Sequence, residues 1–402
     1  KFMVPRNARF IRFRVTGSGA GSTFVDDVNL ALVGKETKTM GIVTPQILEN
    51  AFLQYTLDTK ADSVAVLDKR THKIWQASLG LKSMYIKAAS PATAHQLELQ
   101  ITEPESSAEF TAKIRLSADR PEIVYEVLGS PEMKLDKFEW TPFFKIESQM
   151  SIILPLAEGF VFDPDASIKD IPSSLIYRGG WSMPFVGVLD GEPGWMQIVD
   201  TPIDYMLVRD DSYQNGRTFK NRWLAERGQF GYNRRITQIF FDKGGYVAMA
   251  KRYRLHAKEH ALFATLREKN PLRHNNINKL VGAVDVWYFG ANKQEFMQDL
   301  KYSGIINVLF STADKREDVL AANSQGFLSS RYDIIQDVWD PKLSHLTPHT
   351  KGWPEALVLD NKGDWVRGWT LRREGKKYPG VVICSVPALE MSRHDIPDDL
   401  RD

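Results

Sequence analysis

The hydrophobic period changes along this chain, and those changes set what it can fold into. From about Gly41 to Tyr232 apolar residues recur at every second position, as in Leu53-Gln54-Tyr55-Thr56-Leu57, Ser63-Val64-Ala65-Val66-Leu67-Asp68 and Phe110-Thr111-Ala112-Lys113-Ile114-Arg115-Leu116. In an extended chain alternate side chains share a face, so each such run predicts a half-buried strand. Asp-Lys-Arg, Glu-Pro and Arg-Pro turns separate the runs. Short strands at this spacing predict a large antiparallel sandwich. Prolines from Pro155 to Pro202 mark a loop-rich section near its end.

Past Gly244-Gly245 the spacing turns helical, from Tyr246 to Ala257, and the charged stretch Leu266 to Pro271 reads as linker. After Asn278 the pattern becomes strand and helix in turn. Leu280 to Phe289 and Ile305 to Phe310 are apolar runs of the buried-strand type. Asn292 to Tyr302 and Lys315 to Gln325 are amphipathic, the second stopped by Gly326, and Tyr332 to Trp339 reads as a third strand. Repeated β–α units with buried strands predict a parallel sheet, in a barrel or a doubly wound fold. Glu355 to Asp360 and Trp365 to Leu371 read as a hairpin about Asn361–Asp364, and the stretch from about Pro387 to Arg401 reads as helix.

Charge and cysteine content remove several function classes. Across 402 residues, 52 Lys and Arg face 50 Asp and Glu, and no basic stripe points to nucleic acid. Cys384 is the single cysteine, so neither an internal disulfide nor a cysteine-rich zinc site can form. No apolar run is long enough to span a bilayer. Lys1-Phe2-Met3-Val4 carries neither an initiator methionine nor a signal-peptide pattern, and the expectation is a chain that begins inside a longer one or was processed. Gly17 to Ser22 lacks the Lys-Ser/Thr ending of a phosphate loop and leads into a strand, so no cofactor is expected. His256 and His260 stand at zinc-binding spacing, but His-Ala-Lys-Glu-His misplaces the glutamate, and both read as helix-surface residues. His345 and His349 lack a third ligand nearby. Asp163-Pro164-Asp165 starts like a calcium loop but has Ile168 where the glycine belongs.

Several stretches together resemble one architecture. They are SVAVLDKRTHKIWQ from Ser63, WSMPFVGV from Trp181, GYVAMAKRYRLHAKEH from Gly245, GAVDVWYF from Gly282 and DNKGDWVRGW from Asp360. The chain from 41 to 402 resembles retaining glycoside hydrolases of the endo-α-N-acetylgalactosaminidase and α-N-acetylgalactosaminidase type, and ARFIRFRVTGSGAGSTFVDDVNLALV from Ala8 resembles the last strands of a jelly-roll carbohydrate-binding module. The resemblance implies a multidomain fold: the end of the jelly roll over 1–34, a β-supersandwich over 41–245, a connecting helix and linker over 246–278, and the N-terminal half of a (β/α)8 barrel over 279–402. A complete barrel takes about 250 residues. It implies a nucleophilic aspartate on the next strand and an acid/base glutamate later, both expected beyond Asp402. The chain alone is then inactive, and a C-terminal continuation or a second chain completes the barrel. The enzyme would be a secreted or periplasmic bacterial protein that cleaves an extracellular glycan.

Barrel strands present their C-terminal ends to the active site. Asp285 and Trp287 close the first expected barrel strand, and Asp337 and Trp339 the third. Such an aspartate can accept hydrogen bonds from sugar hydroxyls, and a tryptophan can stack on a pyranose. Equally, each can be structural, the aspartate capping a loop and the tryptophan filling core. Asp337 is the weak candidate for a nucleophile within the chain. Trp365 and Trp369, four apart in the expected hairpin, would share a face and could form a sugar platform or pack on the barrel, with Trp353 nearby. Trp181 reads as sandwich core. Two further readings remain open: a non-catalytic carbohydrate-binding or adhesion protein, and a lyase or sugar-modifying enzyme on a β-sandwich scaffold.

Overall fold

The computed structural model describes residues 45–79, 85–103, 108–135, 137–164, 166, 174–175, 180–210, 218–225, 228–272, 274–331, 337–339, 357–359, 363–373 and 375–382. The segment 1–34, Asp165, Ile168, His345, His349, Trp353, Cys384 and the stretch 387–401 lie outside them. The chain forms two compact units, Lys1–Tyr253 and Arg254–Asp402.

The first unit is built from antiparallel strands. In order they are β1 (Gln46–Glu49), β2 (Leu53–Asp58), β3 (Ser63–Asp68), β4 (Lys73–Ser78), β5 (Tyr85–Thr93), β6 (Gln96–Thr102), β7 (Glu109–Leu116), β8 (Glu122–Leu128) and β9 (Lys137–Glu139). There follow β10 (Ser151–Leu154), β11 (Phe160–Phe162), β12 (Ser174–Leu175), β13 (Phe185–Leu189), β14 (Gly194–Val199), β15 (Tyr205–Arg209), β16 (Phe219–Leu224) and β17 (Arg234–Phe241). A nine-stranded sheet of order β11-β10-β13-β14-β17-β8-β7-β6-β5 is accompanied by two four-stranded sheets, β1-β2-β3-β4 and β12-β15-β16-β9. The prolines of the loop-rich section sit between strands: Pro155 follows β10, while Pro184 and Pro193 precede β13 and β14. Proline cannot donate to a ladder, so it punctuates the sheet here without ending it.

Burial explains the pattern. β7 alternates buried Phe110, Ala112, Ile114 and Leu116 with more exposed residues, whereas all six residues of β14 are buried. The nine-stranded sheet is therefore covered on one face at its β7 side and on both faces at β14. One face contributes Trp195, Val186, Val188, Ile236 and Phe240 to the main core, with Trp75, Phe110, Phe138 and Trp223. Trp181, read as core, packs against that cluster while partly buried. The opposite face contributes Phe185, Met196, Ile198 and Ile239 to a second cluster, closed by Met249 of helix α1 (Gly245–Glu259).

Two glycines make room for that methionine. A Cβ on Gly187 would lie 2.5 Å from Met249 Sδ, and one on Gly194 would lie 2.5 Å from the Val188 carbonyl oxygen. Arg252 on the same helix donates from Nε and Nη2 to Glu122 at 2.7 and 2.9 Å, and Tyr253 packs on Phe185 at 5.3 Å between ring centroids. His256, in the last turns of α1, is buried and not a surface residue, and its ring stacks on His260 at 4.1 Å.

The second unit holds α2 (Leu266–Lys269), α3 (His274–Leu280), β18 (Val284–Val286), α4 (Lys293–Tyr302), β19 (Val308–Phe310), α5 (Arg316–Ser324), β20 (Leu328–Ser329), β21 (Asp337–Trp339), β22 (Arg367–Arg373) and β23 (Lys376–Val382). Thr265 and Glu268 form a reciprocal capping box at the start of α2. β18, β19 and β20 pair in parallel. Met297 of α4, Ala322 of α5, Val308, Phe310 and Phe327 form their core. The whole is multidomain and β-rich: large antiparallel sheets followed by a short β/α segment with a parallel sheet.

The third parallel strand differs from the sequence reading. It is Leu328–Ser329, paired Leu309 to Leu328 and Phe310 to Ser329, not Tyr332–Trp339. Two residues carry no hydrophobic period, which is why the strand is invisible in sequence. Gly326, at φ +83°, ends α5 and turns the chain directly onto the sheet. Asp337–Trp339 instead joins an antiparallel sheet of order β21-β23-β22. Among the described residues the expected hairpin shows a bridge between Leu359 and Trp365, while β22 pairs with β23 in a ladder that shifts register between Arg367 and Thr370.

Two substitutions test this packing. Met249→Ala is expected to cost about 2–5 kcal/mol in chemical denaturation, because it empties the socket that Gly187 and Gly194 leave open. Asp204 accepts from Arg234 Nη2 at 2.7 Å and from the Tyr232 hydroxyl, with both charged side chains almost wholly buried. Burial pushes its carboxyl above the usual range, against the opposing pull of Tyr232 and Arg234. Asp204→Ala is expected to destabilise the unit by about 3–5 kcal/mol, because the buried guanidinium loses its counter-charge.

Candidate functional site

β18 and β19 end side by side, because parallel pairing sets Val284 against Val308 and Val286 against Phe310. The residues that follow them converge. Ser311 lies just past β19, where its N–H bonds Val286 O at 2.9 Å. Its Oγ donates to Asp285 Oδ1 at 2.5 Å, and Trp287 Nε1 donates to Asp285 Oδ2 at 2.8 Å. Each oxygen of the carboxylate is thus held by one donor. An ionised carboxylate has about four lone-pair sites, so it retains capacity to accept further hydrogen bonds.

Beyond β18 the side chains sort by exposure. Trp287 and Phe289 are half or more exposed, with ring centroids 6.3 Å apart. Tyr288 between them turns inward and stacks on Phe296 at 4.2 Å with 12° between ring planes. Thr312 fixes this arrangement. Fully buried, it donates from Oγ1 to Tyr288 O at 2.7 Å and accepts from Tyr288 N–H at 3.2 Å. Lys293, buried at the start of α4, donates to Thr312 O at 2.5 Å and pairs with Asp314. The segments after β18 and β19 are therefore tied to each other and to α4.

The arrangement offers an oriented carboxylate beside exposed aromatic faces. Such a surface can accept hydrogen bonds from hydroxyl groups while its rings cover apolar C–H surface. Of the residues selected from sequence, Asp285 and Trp287 are brought together here. Asp337 and Trp339 lie in β21, outside the parallel sheet. Trp365 is half-buried at its bridge to Leu359. Trp369 lies on β22, whose ladder with β23 shifts register between Arg367 and Thr370. Sequence reasoning missed Ser311, Thr312, Lys293 and Phe289. The usable signal was position: Ser311 and Thr312 directly follow the second apolar run, as Trp287 follows Asp285 at the end of the first.

A cavity of about 540 Å³ lies elsewhere, in the first unit, and none of the residues selected from sequence lines it.

No family profile matches the chain, and no curated protein sequence matches it. Solved structures do. The α-N-acetylgalactosaminidase NagBb from Bifidobacterium bifidum, in complex with GalNAc, superposes with a TM-score of 0.66 at 13% identity, covering 88% of this chain and 68% of that one. Its ligand-free form gives 0.64 at 13% identity, with 88% and 69% covered. The GH36 α-galactosidase AgaB from Geobacillus stearothermophilus gives 0.37 at 11% identity, over 85% of this chain and 47% of that one. At these identities the likeness to NagBb establishes a glycoside-hydrolase-like fold and no more.

Thr312→Val is the direct test of the clamp. It leaves the Tyr288 N–H and carbonyl without their partner, and a loss of about 1–3 kcal/mol in unfolding free energy is expected from chemical denaturation.

Proposed function

We propose that this chain is part of a retaining glycoside hydrolase that removes an α-linked sugar, of N-acetylgalactosamine type, from an extracellular glycan. The observation that carries the reading is the Asp285–Trp287 pair at the C-terminal ends of parallel strands, with the carboxylate held by Ser311 and the indole half-exposed. That edge is where (β/α)8 enzymes bind substrate. The α-N-acetylgalactosaminidase that shares the fold was solved with GalNAc bound, which supports the choice of sugar.

In this reading β18, β19 and β20 are the first strands of a (β/α)8 barrel. The remaining strands come from a continuation of the polypeptide or from a second chain. Asp285 binds the terminal sugar by accepting hydroxyl hydrogens, and Trp287 stacks on its apolar face. A retaining mechanism needs two carboxyl groups about 5–5.5 Å apart, one to form the glycosyl-enzyme and one to act as acid and then base. Asp285 is assigned to neither role, because both of its oxygens already take structural donors. The catalytic pair belongs to residues outside those described, and Asp337, in the antiparallel sheet, receives no catalytic role. Glycan degradation outside the cell places the enzyme in a secreted or periplasmic setting.

Binding of methyl α-N-acetylgalactosaminide, followed by NMR, tests the site. Asp285→Asn and Trp287→Ala are each expected to weaken it about tenfold or more, the loss expected for one charge-assisted hydrogen bond or one stacked face. Turnover of an aryl α-N-acetylgalactosaminide by the barrel-complete protein tests the chemistry, with the α-anomer expected as first product. A β-anomer would overturn retention. Binding without turnover in that protein would favour a non-catalytic carbohydrate-binding protein instead.

A further inference from the structure

We propose that the cavity of the first unit is a second, non-catalytic site for a neutral polyhydroxylated ligand, one sugar residue of a glycan. The cavity lies where β3 and β4 face β9, β16 and the segment after β9, and Lys145 N–H to Gln76 O at 2.8 Å joins the two walls. At about 540 Å³ it falls within the size range of small-molecule sites.

Its floor is built. Asn221 and Thr141 line the cavity and are both buried. Asn221 Nδ2 donates to Thr141 Oγ1 at 2.6 Å, while Asn221 Oδ1 accepts from Gln197 Nε2 and from the Tyr205 hydroxyl, each at 2.6 Å. That network fixes the amide orientation and rigidifies the base of the site. Trp140, Phe143 and Phe219 supply apolar wall.

The charges decide the ligand class. Asp62, Glu139 and Asp210 line the cavity alongside Lys145 and Lys220. Glu139 Oε1 is held by Arg222, Asp210 Oδ1 by Lys220 at 3.1 Å, and Asp62 Oδ2 by Ser78 Oγ at 3.0 Å. An anionic ligand would meet carboxylates and a cationic one ammonium groups, so neither is favoured. A metal ion is not served either, because these carboxylates do not form a cluster close enough to share one ion. A hydroxyl both donates and accepts, and it suits a lining that holds both fixed carboxylate acceptors and amide and ammonium donors.

The test uses the 402-residue chain with methyl α-glycosides of N-acetylgalactosamine, galactose and glucose as neutral probes, and glucuronate and glucosamine as charged ones, read by saturation-transfer NMR. Ala65 lies on the less buried face of β3 and lines the cavity, so Ala65→Phe fills it without entering the main core. In Trp287→Ala, which removes the strand-end stacking face, at least one neutral glycoside is expected still to bind, and adding Ala65→Phe is expected to weaken that binding tenfold or more. Circular dichroism and thermal unfolding establish that the variant is folded; if it is not, Asp62→Asn is read in the same way. In the Trp287→Ala background, binding unchanged by the cavity variant, tighter binding of a charged probe, or no binding by any probe would each overturn the proposal. Weaker binding of the N-acetylgalactosamine glycoside in Trp287→Ala than in the unchanged chain bears on the strand-end site alone, so the two readings fail separately.

Discussion

Two-sided burial of the nine-stranded sheet is the constraint on which the first unit depends. Around β14 both faces are covered, and its one amide side chain, Gln197, is bonded to buried Asn221. Hydrophobic burial supplies the drive, at roughly 25 cal/mol per Å² removed from water. The second face is closed by Met249, and it can enter only because Gly187 and Gly194 have no side chains in its path. Glycine in a strand interior normally weakens the strand. Here the close approach of the helix is what those positions obtain in exchange.

Several buried polar groups of the same unit are held by pairing. Gln197 and Gln238 occupy strand positions that face inward, and they are absorbed by Asn221, Tyr205 and the Pro142 carbonyl. Arg234 and Asp204 are paired with each other and with Tyr232. Buried polar groups left single would each cost more than they return. Such networks add little net stability when complete, yet they allow only one arrangement of the sheets. The cavity floor draws on one of them, so its shape is fixed by interactions that also hold the sandwich together.

The strand-end site follows the same logic on a smaller scale. Its exposed groups, Asp285, Trp287 and Phe289, are held by groups that are not exposed. Thr312 satisfies the backbone of Tyr288, and Lys293 satisfies the backbone of Thr312. A surface that must present rings to solvent is kept from collapsing onto itself because its backbone is anchored below. Asp285 and Trp287 stand at a strand end, and their supports come from the segment after β19 and, through Lys293, from α4, an arrangement that holds side chains in fixed geometry.

Sequence by itself determined the kinds of element and their order. Period two marked strands such as β2, β3 and β7, helical spacing marked α1, and the return of apolar runs with amphipathic stretches between them marked β18, α4, β19 and α5, because each signal depends only on which face of a local element is buried. It also singled out Asp285 and Trp287, which the structure brings into hydrogen-bond contact, since the end of an apolar run is readable in one dimension. Tertiary structure decided the rest. Leu328–Ser329 became a strand because a parallel neighbour was waiting for it, while Asp337–Trp339, the better strand by composition, was drawn into an antiparallel sheet with a partner some forty residues away. Ser311 reached Asp285, Asn221 reached Thr141, and the two glycines came beneath Met249 through contacts between residues far apart in the chain. Such contacts leave no local period, and only the folded arrangement of strands creates them.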